Sequence, residues 1–475
     1  MKLKALTTAM ILAALPTAGA FAAALDRSGQ SMSAFLQPGN YFEAGISVLD
    51  PDVSGQESGT SPTTRNIDDM ANDYYFPSAA LKLQVTDKFS FGILYDQPFG
   101  ADAEYTGNNV FVSNPGTDSV LSASAVDGIV TKTAVAQLQA NNIPVNDTTL
   151  AAAKQQVMAS PQFQQLSAGL SAANNYLGTG GTNVEVDTQS LSLVLGFQPI
   201  KNLNLYAGGV YQTIKGQVSL RGQAYSLFNG YDATIKETSG TGWLAGVAYQ
   251  IPEIALKTSL TYRSEIDHDT NAAESLSILD FPALTNILSG LGVSQDTLSA
   301  IKDGKTTITT PQSVNLDFQT GIMANTVAFA NVRWVNWKDF SITPYKFGKV
   351  AEAVGPLVNR PNGFTLVEYT DDQWSANVGV GRKLNEQWAG NVSVGWDSGA
   401  GNPVSTLGPT EGYWNLGLGV QYSPTPATFI AGGVKYFWLG DAKAQTGAQA
   451  GGSEYVADFS DNDAIAYGLK LGYRF

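Results

Sequence analysis

A single histidine in 475 residues limits the acid–base chemistry open to this chain. His268 follows Ser264, Glu265 and Asp267, a grouping that invites a serine-hydrolase reading. A nucleophile needs a base in hydrogen-bond reach and donors aimed at an oxyanion. Proximity in sequence supplies neither, and a solvated loop histidine explains the same residues. We assign no catalytic residue. The chain has no cysteine, which removes disulfides and thiolate metal ligands, and one histidine leaves little for zinc. No metal, cofactor or nucleotide loop is expected. The net charge of −14 offers no basic stripe to a nucleic acid. The remaining charges near His268 lie in alternation: Lys257, Arg263 and Glu265 share one face of a strand and read as a ladder of paired charges.

The elements that carry these residues are strands with one greasy face. From Ala464 to Phe475, Ile465, Tyr467, Leu469, Leu471, Tyr473 and Phe475 alternate with Ala464, Ala466, Gly468, Lys470, Gly472 and Arg474. A strand between lipid and a lumen must alternate so, and about ten residues cross the bilayer. Fourteen segments follow this pattern: roughly 40–50, 73–87, 89–105, 184–198, 203–217, 240–250, 255–266, 309–323, 327–338, 373–382, 387–398, 412–422, 428–440 and 464–475. Six connections are tight and the alternate ones are long, as in barrels with periplasmic turns and extracellular loops. The fold expected is an all-β membrane protein, a 14-stranded antiparallel transmembrane β-barrel, placed in the bacterial outer membrane. The terminal Phe475 is the expected signal to the barrel-assembly machinery, and outer-membrane lipid and lipopolysaccharide are the expected surroundings.

Residues 1–22 read as a signal peptide: Lys2 and Lys4, a short apolar stretch from Ala5 to Leu15, then small alanines. Residues 23–39 form a short N-terminal lumenal segment, and residues 40–475 the barrel. Helical insertions are expected at 106–183 and 267–307. In the first, Ser160-Pro161 reads as N-cap and N1, with Phe163, Leu166 and Leu170 at helical spacing. In the second, Leu284, Ile287, Leu288 and Leu291 form one stripe. Ser294 reads as the cap of another helix carrying Leu298 and Ile301.

Several of these segments resemble the FadL/TodX family of outer-membrane channels for hydrophobic compounds. The likeness rests on Leu49-Asp50-Pro51-Asp52-Val53, Gly59-Thr60-Ser61-Pro62, Tyr262-Arg263-Ser264-Glu265, the pair Trp334 and Trp337, and the ending Leu471-Gly472-Tyr473-Arg474-Phe475. It implies passive uptake of hydrophobic molecules, foremost long-chain fatty acids, through a barrel with an N-terminal hatch and a kinked third strand that opens sideways. The chain departs from the family in its short hatch, which has Gln37-Pro38-Gly39 in place of an asparagine-proline-alanine signature.

Three groups are candidate sites, the first of them at the strand where the resemblance places a kink. Pro98, Phe99 and Gly100 interrupt the third strand; proline cannot donate to a ladder, so they mark either a lateral gate or a strand that ends early. The stripes Phe163, Leu166, Leu170 and Leu284, Ile287, Leu288, Leu291 are either a satellite core or a surface that captures acyl chains. Lys215, Arg221, Lys338 and Lys346 near strand tops are candidates for a carboxylate headgroup, or partners of acidic loop residues. Two other functions fit such a barrel: a polar-solute porin and an outer-membrane lipid-modifying enzyme.

Overall fold

A computed structural model describes residues 25–294, 296–297 and 300–475. The expected leader and Leu298 lie outside these residues. Fourteen strands close into a ring. Strands β1 to β5 are Tyr41–Asp52, Tyr74–Gln84, Phe89–Asp96, Asn183–Ile200 and Leu203–Leu220. Strands β6 to β10 are Tyr231–Ile251, Leu256–Arg263, Ser313–Met323, Thr326–Val335 and Gln373–Lys383. Strands β11 to β14 are Trp388–Asp397, Tyr413–Thr425, Thr428–Leu439 and Asp463–Arg474. Each pairs antiparallel with its sequence neighbours, and β14 pairs with β1 over Tyr41↔Arg474 to Asp52↔Asp463, which closes the cylinder. Two short strands, Gly100–Glu104 and Ala273–Leu276, pair with β4 and β6 beside this ring.

The outward face is the one that alternation predicts. On β14, Tyr467 and Leu469 are 49% and 52% exposed while Ala464 and Ala466 are buried. Aromatic rows mark two levels. Toward the long loops, Trp334 lies opposite Trp374, Trp396 opposite Trp414, and Trp414 opposite Trp438. Toward the short turns, Trp388 packs on Tyr422 with ring centres 4.8 Å apart, and Phe89 on Phe197 at 5.2 Å. Such belts sit where hydrocarbon meets headgroups.

Strands β5 and β6 run further out than their apolar alternation. Their outer parts carry Gln217, Ser219, Asp232, Thr234 and Lys236, pair above the lipid band, and contain a bulge between Ile214 and Gly216. Alternation persists there with the apolar side turned inward, Val218, Leu220, Tyr231, Ala233 and Ile235 being buried, while the opposite side is polar and gives no lipid-facing signal. His268 is likewise not a solvated loop residue. Ile266–Thr270 pairs with Thr306–Thr310, and His268 is fully buried, its Nε2 2.9 Å from Gln212 Oε1.

Helices α1 (Ala123–Ala140), α2 (Asp147–Ala159) and α3 (Pro161–Ala173) fill the first long loop, α4 (Leu284–Gly290) the second, and α5 (Tyr345–Val354) a third. Ser160 caps α3, accepting from the Phe163 N–H, with Pro161 at N1. Helix α5 was not expected. Its Phe347, Val350, Ala351 and Val354 are all buried, and their i, i+3, i+4, i+7 spacing was the available signal.

The loop between β11 and β12 holds a carboxyl that titrates far from its ordinary range. Burial pushes Glu411 from near 4.5 up to about 7, against N–H donation from Gly401 and Ala400, with the Asp371 charge adding to the rise. The folded loop therefore holds this proton more tightly than the open one. Its stabilisation is complete below the ordinary value and is lost as pH rises through about 7. Amide exchange across residues 398–412, corrected for intrinsic rate, is expected to quicken between about pH 5 and about pH 8. Glu411→Gln should flatten that dependence; an unchanged slope would exclude Glu411 as its source.

Candidate functional site: a break in the wall and the segment behind it

The wall is incomplete at the third strand. The β2–β3 ladder runs only from Gln84↔Ser90 to Ala79↔Tyr95. Beyond Asp96 the chain turns at Gln97-Pro98-Phe99, and Gly100–Glu104 resumes pairing with β4 on one side and, through an Ala71–Ala103 bridge and bonds to Met70 and Asn72, with the segment before β2 on the other. The Tyr74–Ser78 stretch of β2 thus keeps its β1 partners but has no ladder partner on the β3 side. Proline explains the break, since it has no N–H to continue the ladder. Thr188 of β4 fixes the turn: its Oγ1 accepts the Phe99 N–H at 2.8 Å and donates to the Phe99 carbonyl at 2.6 Å. The Phe99 ring points inward, edge-on to the fully buried Trp337 with centres 5.5 Å apart.

Three residues of the N-terminal segment cover the break from inside. Arg27 N–H donates to the Pro98 carbonyl (2.6 Å), Gly100 N–H donates to the Leu25 carbonyl (2.9 Å), and Asp26 forms an antiparallel bridge with Phe99. The Arg27 guanidinium lies over the Tyr74 ring, 4.8 Å from its centre, so the segment touches both sides of the opening. Across the lumen, Asp26 accepts from Arg333 Nε at 2.7 Å, both side chains buried. Arg333 also donates to Asn315 Oδ1, and Asn315 donates to the Gly29 carbonyl. Ser28 donates to Asp96 at 2.7 Å, at the end of β3.

Further toward the periplasmic turns, Met32, Phe35 and Leu36 cork the lumen. Phe35 is 1% exposed and sits edge-on to Tyr206 at 5.7 Å. Gly92 and Gly196, on two neighbouring strands, give it room: a Cβ at Gly92 would overlap the ring, and one at Gly196 would come within 3.0 Å of it. Lysines of the wall grip the cork by its backbone, Lys82 donating to the Gly39 carbonyl at 2.8 Å and Lys257 to that of Leu36 at 3.3 Å.

Between cork and break lies a cavity of about 130 Å³. Phe76, Pro77, Ala79 and Leu94 form its wall beside the break. Its other side carries Arg263, Asp317, Lys435, and the pair Glu43 and Lys470, bonded at 3.0 Å. The space is therefore mixed: Phe76, Pro77, Ala79 and Leu94 stand with Ser78, Asp96 and Gln97 at the break, and the charges gather within. Lys257 and Arg263 face the lumen, each engaged with the N-terminal segment, but Glu265 is exposed beyond the end of β7, so the three do not form the expected ladder.

The other candidates lie elsewhere. Lys215 pairs with Asp187 (3.0 Å), Arg221 with Asp232 (2.6 Å) and Lys346 with Asp303 (2.8 Å). Lys338 is exposed at the rim. These four do not converge. Leu284, Ile287 and Leu288 are buried on α4, where Ile287 packs against Gly169 of α3. Leu291 and Leu170 lean on the same core, and Phe163 on the small cluster between α1 and α2; Leu166 is half-buried.

Residues 154–475 match the outer membrane protein transport protein family (OMPP1/FadL/TodX). The chain belongs to this family. The FadL/TodX assignment places the barrel in the outer membrane and makes it a transport protein rather than an enzyme. A long-chain fatty acid transport protein of Escherichia coli O6:H1 is 22% identical over 361 residues, 71% of this chain and 67% of the relative. Among solved structures, a Pseudomonas aeruginosa FadL homologue superposes with a TM-score of 0.61 at 14% identity, covering 100% of this chain and 98% of that one. The Pseudomonas putida toluene transporter TodX gives 0.52 at 11% identity, over 93% and 91%. At these identities the structures attest the shared FadL/TodX barrel. The lumenal partners Asp26, Phe35, Arg333 and Thr188 escaped the sequence reading, because each acquires its meaning only from a strand distant in sequence.

Proposed function

We propose that this protein takes up hydrophobic molecules with one polar end, foremost long-chain fatty acids, and releases them sideways into the bilayer between β2 and the turn at Pro98. The observation that carries this reading is the unpaired stretch Tyr74–Ser78 with a cavity directly behind it. The straight path down is filled by Met32, Phe35 and Leu36, whereas the side path is covered by the thin extended stretch Leu25, Asp26 and Arg27 with Ser28 bonded to Asp96. The half-buried Leu166 and Leu170 on α3 form the capture surface, with Leu284, Ile287 and Leu288 holding α4 against it. An acyl chain keeps its freedom from water, about 0.8 kcal/mol per CH₂, as it passes from cavity to lipid. Within the cavity Glu43, Asp317, Lys435 and Lys470 require polar neighbours, which sets the polar end of the cargo on their side and its acyl chain toward Phe76 and Pro77. The same charges favour an acid over a bare hydrocarbon. The names of the relatives, a fatty acid transporter and a toluene transporter, span both choices.

The test is uptake of labelled oleate by cells lacking their own uptake protein. The wild-type chain should restore it. Pro98→Ala regains an N–H, favours a continuous strand, and should fold while transporting severalfold less. Unchanged uptake would remove Pro98 from the mechanism. Large ion conductance without oleate uptake would favour a polar-solute porin.

A further inference from the structure

On the lipid-facing side of β10 to β13 lies a shallow, open groove of about 610 Å³, lined by Val380, Val392, Leu418, Val420 and Val434. Two glycines make its floor. Gly390 and Gly432 lie on either side of Val420 in register, on strands whose other outward positions carry large side chains such as Trp388, Val392, Ile430 and Val434. Inside the barrel, glycines answer to neighbours: a Cβ at Gly92 or Gly246 would overlap Phe35 or Tyr206. At Gly390 and Gly432 nothing in the chain asks for glycine. An added Cβ would meet nothing nearer than 3.5 Å, a carbonyl oxygen in each case. The dent therefore answers to something outside the fold.

Arg382 opens into the same groove, directly opposite Gly390. It shares the outward parity of Trp374, Val378 and Val380. Among the described residues it forms no ion pair. Just beyond it toward the periplasm stand the exposed Leu384 and Trp388, at the level of the lower aromatic belt. A lipid-facing arginine here is costly unless its head reaches the interface and meets an anion. Its planar fork matches a phosphate. We propose that this groove holds one phospholipid of the periplasmic leaflet, an acyl chain lying over Gly390 and Gly432 against Val420, and the phosphate on Arg382. The acyl chain is already in hydrocarbon, so burial from water contributes nothing. Retention comes from close contact along bare backbone and from the charged bond.

The experiment is native mass spectrometry of the barrel released from dodecyl maltoside micelles supplied with palmitoyl-oleoyl phosphatidylglycerol. The wild-type protein should keep one lipid. Arg382→Gln and the double variant Gly390→Val with Gly432→Val should each keep severalfold less, with Arg382→Lys between. The variants face lipid, and heat-dependent gel mobility should report an intact barrel for all of them. Equal retention by the valine variant overturns the proposal. So does a wild-type protein that carries detergent alone, or a dimer that the valines dissociate, which would make the occupant a second copy of the chain.

Discussion

Phe35→Ala is expected to convert a barrel that passes almost no ions into one with resolved openings in planar bilayers. The ring is nearly fully buried and wedged where Gly92 and Gly196 leave space, against the edge of Tyr206. Truncating a buried phenylalanine costs about 3–5 kcal/mol. Here that cost falls on a segment tied otherwise by a few polar bonds, such as those from Lys82 and Lys257 to its carbonyls. The cork would spend a substantial fraction of time displaced. The lumen wall around and above it is polar, with Lys82, Glu43, Lys470 and Ser47 facing inward, so water and ions would follow. Gly92→Ala attacks the same seat from the other side, since its Cβ would overlap the Phe35 ring, and should give the same phenotype. If both variants stayed as tight as the parent, the seal would have to lie elsewhere.

The lipid face was the readable part of this molecule. Alternation places the strands closely because the bilayer imposes one rule on every outward residue, and β14 shows it from Ile465 to Tyr473. Inside, no single rule operates. Phe35 sits among Ser33, Ala34, Leu36 and Gln37, a run with no distinctive pattern; the signal is in glycines on β3 and β4. Asp26 is one acid among forty-one acidic residues until Arg333, over three hundred residues away, is brought to 2.7 Å. The headgroup candidates Lys215, Arg221, Lys338 and Lys346 share only their height near strand tops, and three of them prove to be paired. Their acidic partners Asp187, Asp232 and Asp303 come from register and loop packing. Pro98 was legible because its effect is local: it lacks an N–H wherever the chain takes it.

Joining the two sides of the break should stop transport almost completely and reversibly. The chain has no native cysteine, so Ser78→Cys with Gln97→Cys gives a clean pair. Both positions line the cavity, Ser78 from the unpaired part of β2 and Gln97 from the turn before Pro98. A short reversible thiol cross-linker spans them without the strict geometry that a direct disulfide requires. If cargo leaves sideways, the staple blocks the stretch where β2 and β3 lack a ladder. Oleate uptake should then fall to background and return on reduction. Leu83→Cys with Phe91→Cys is the control, since these residues are register partners in the intact part of the same ladder. Linking them fastens strands that are already bonded and should leave uptake unchanged. A stapled Ser78–Gln97 protein that still delivers oleate at the reduced rate would rule out this exit, and the cargo would have to pass Phe35 instead.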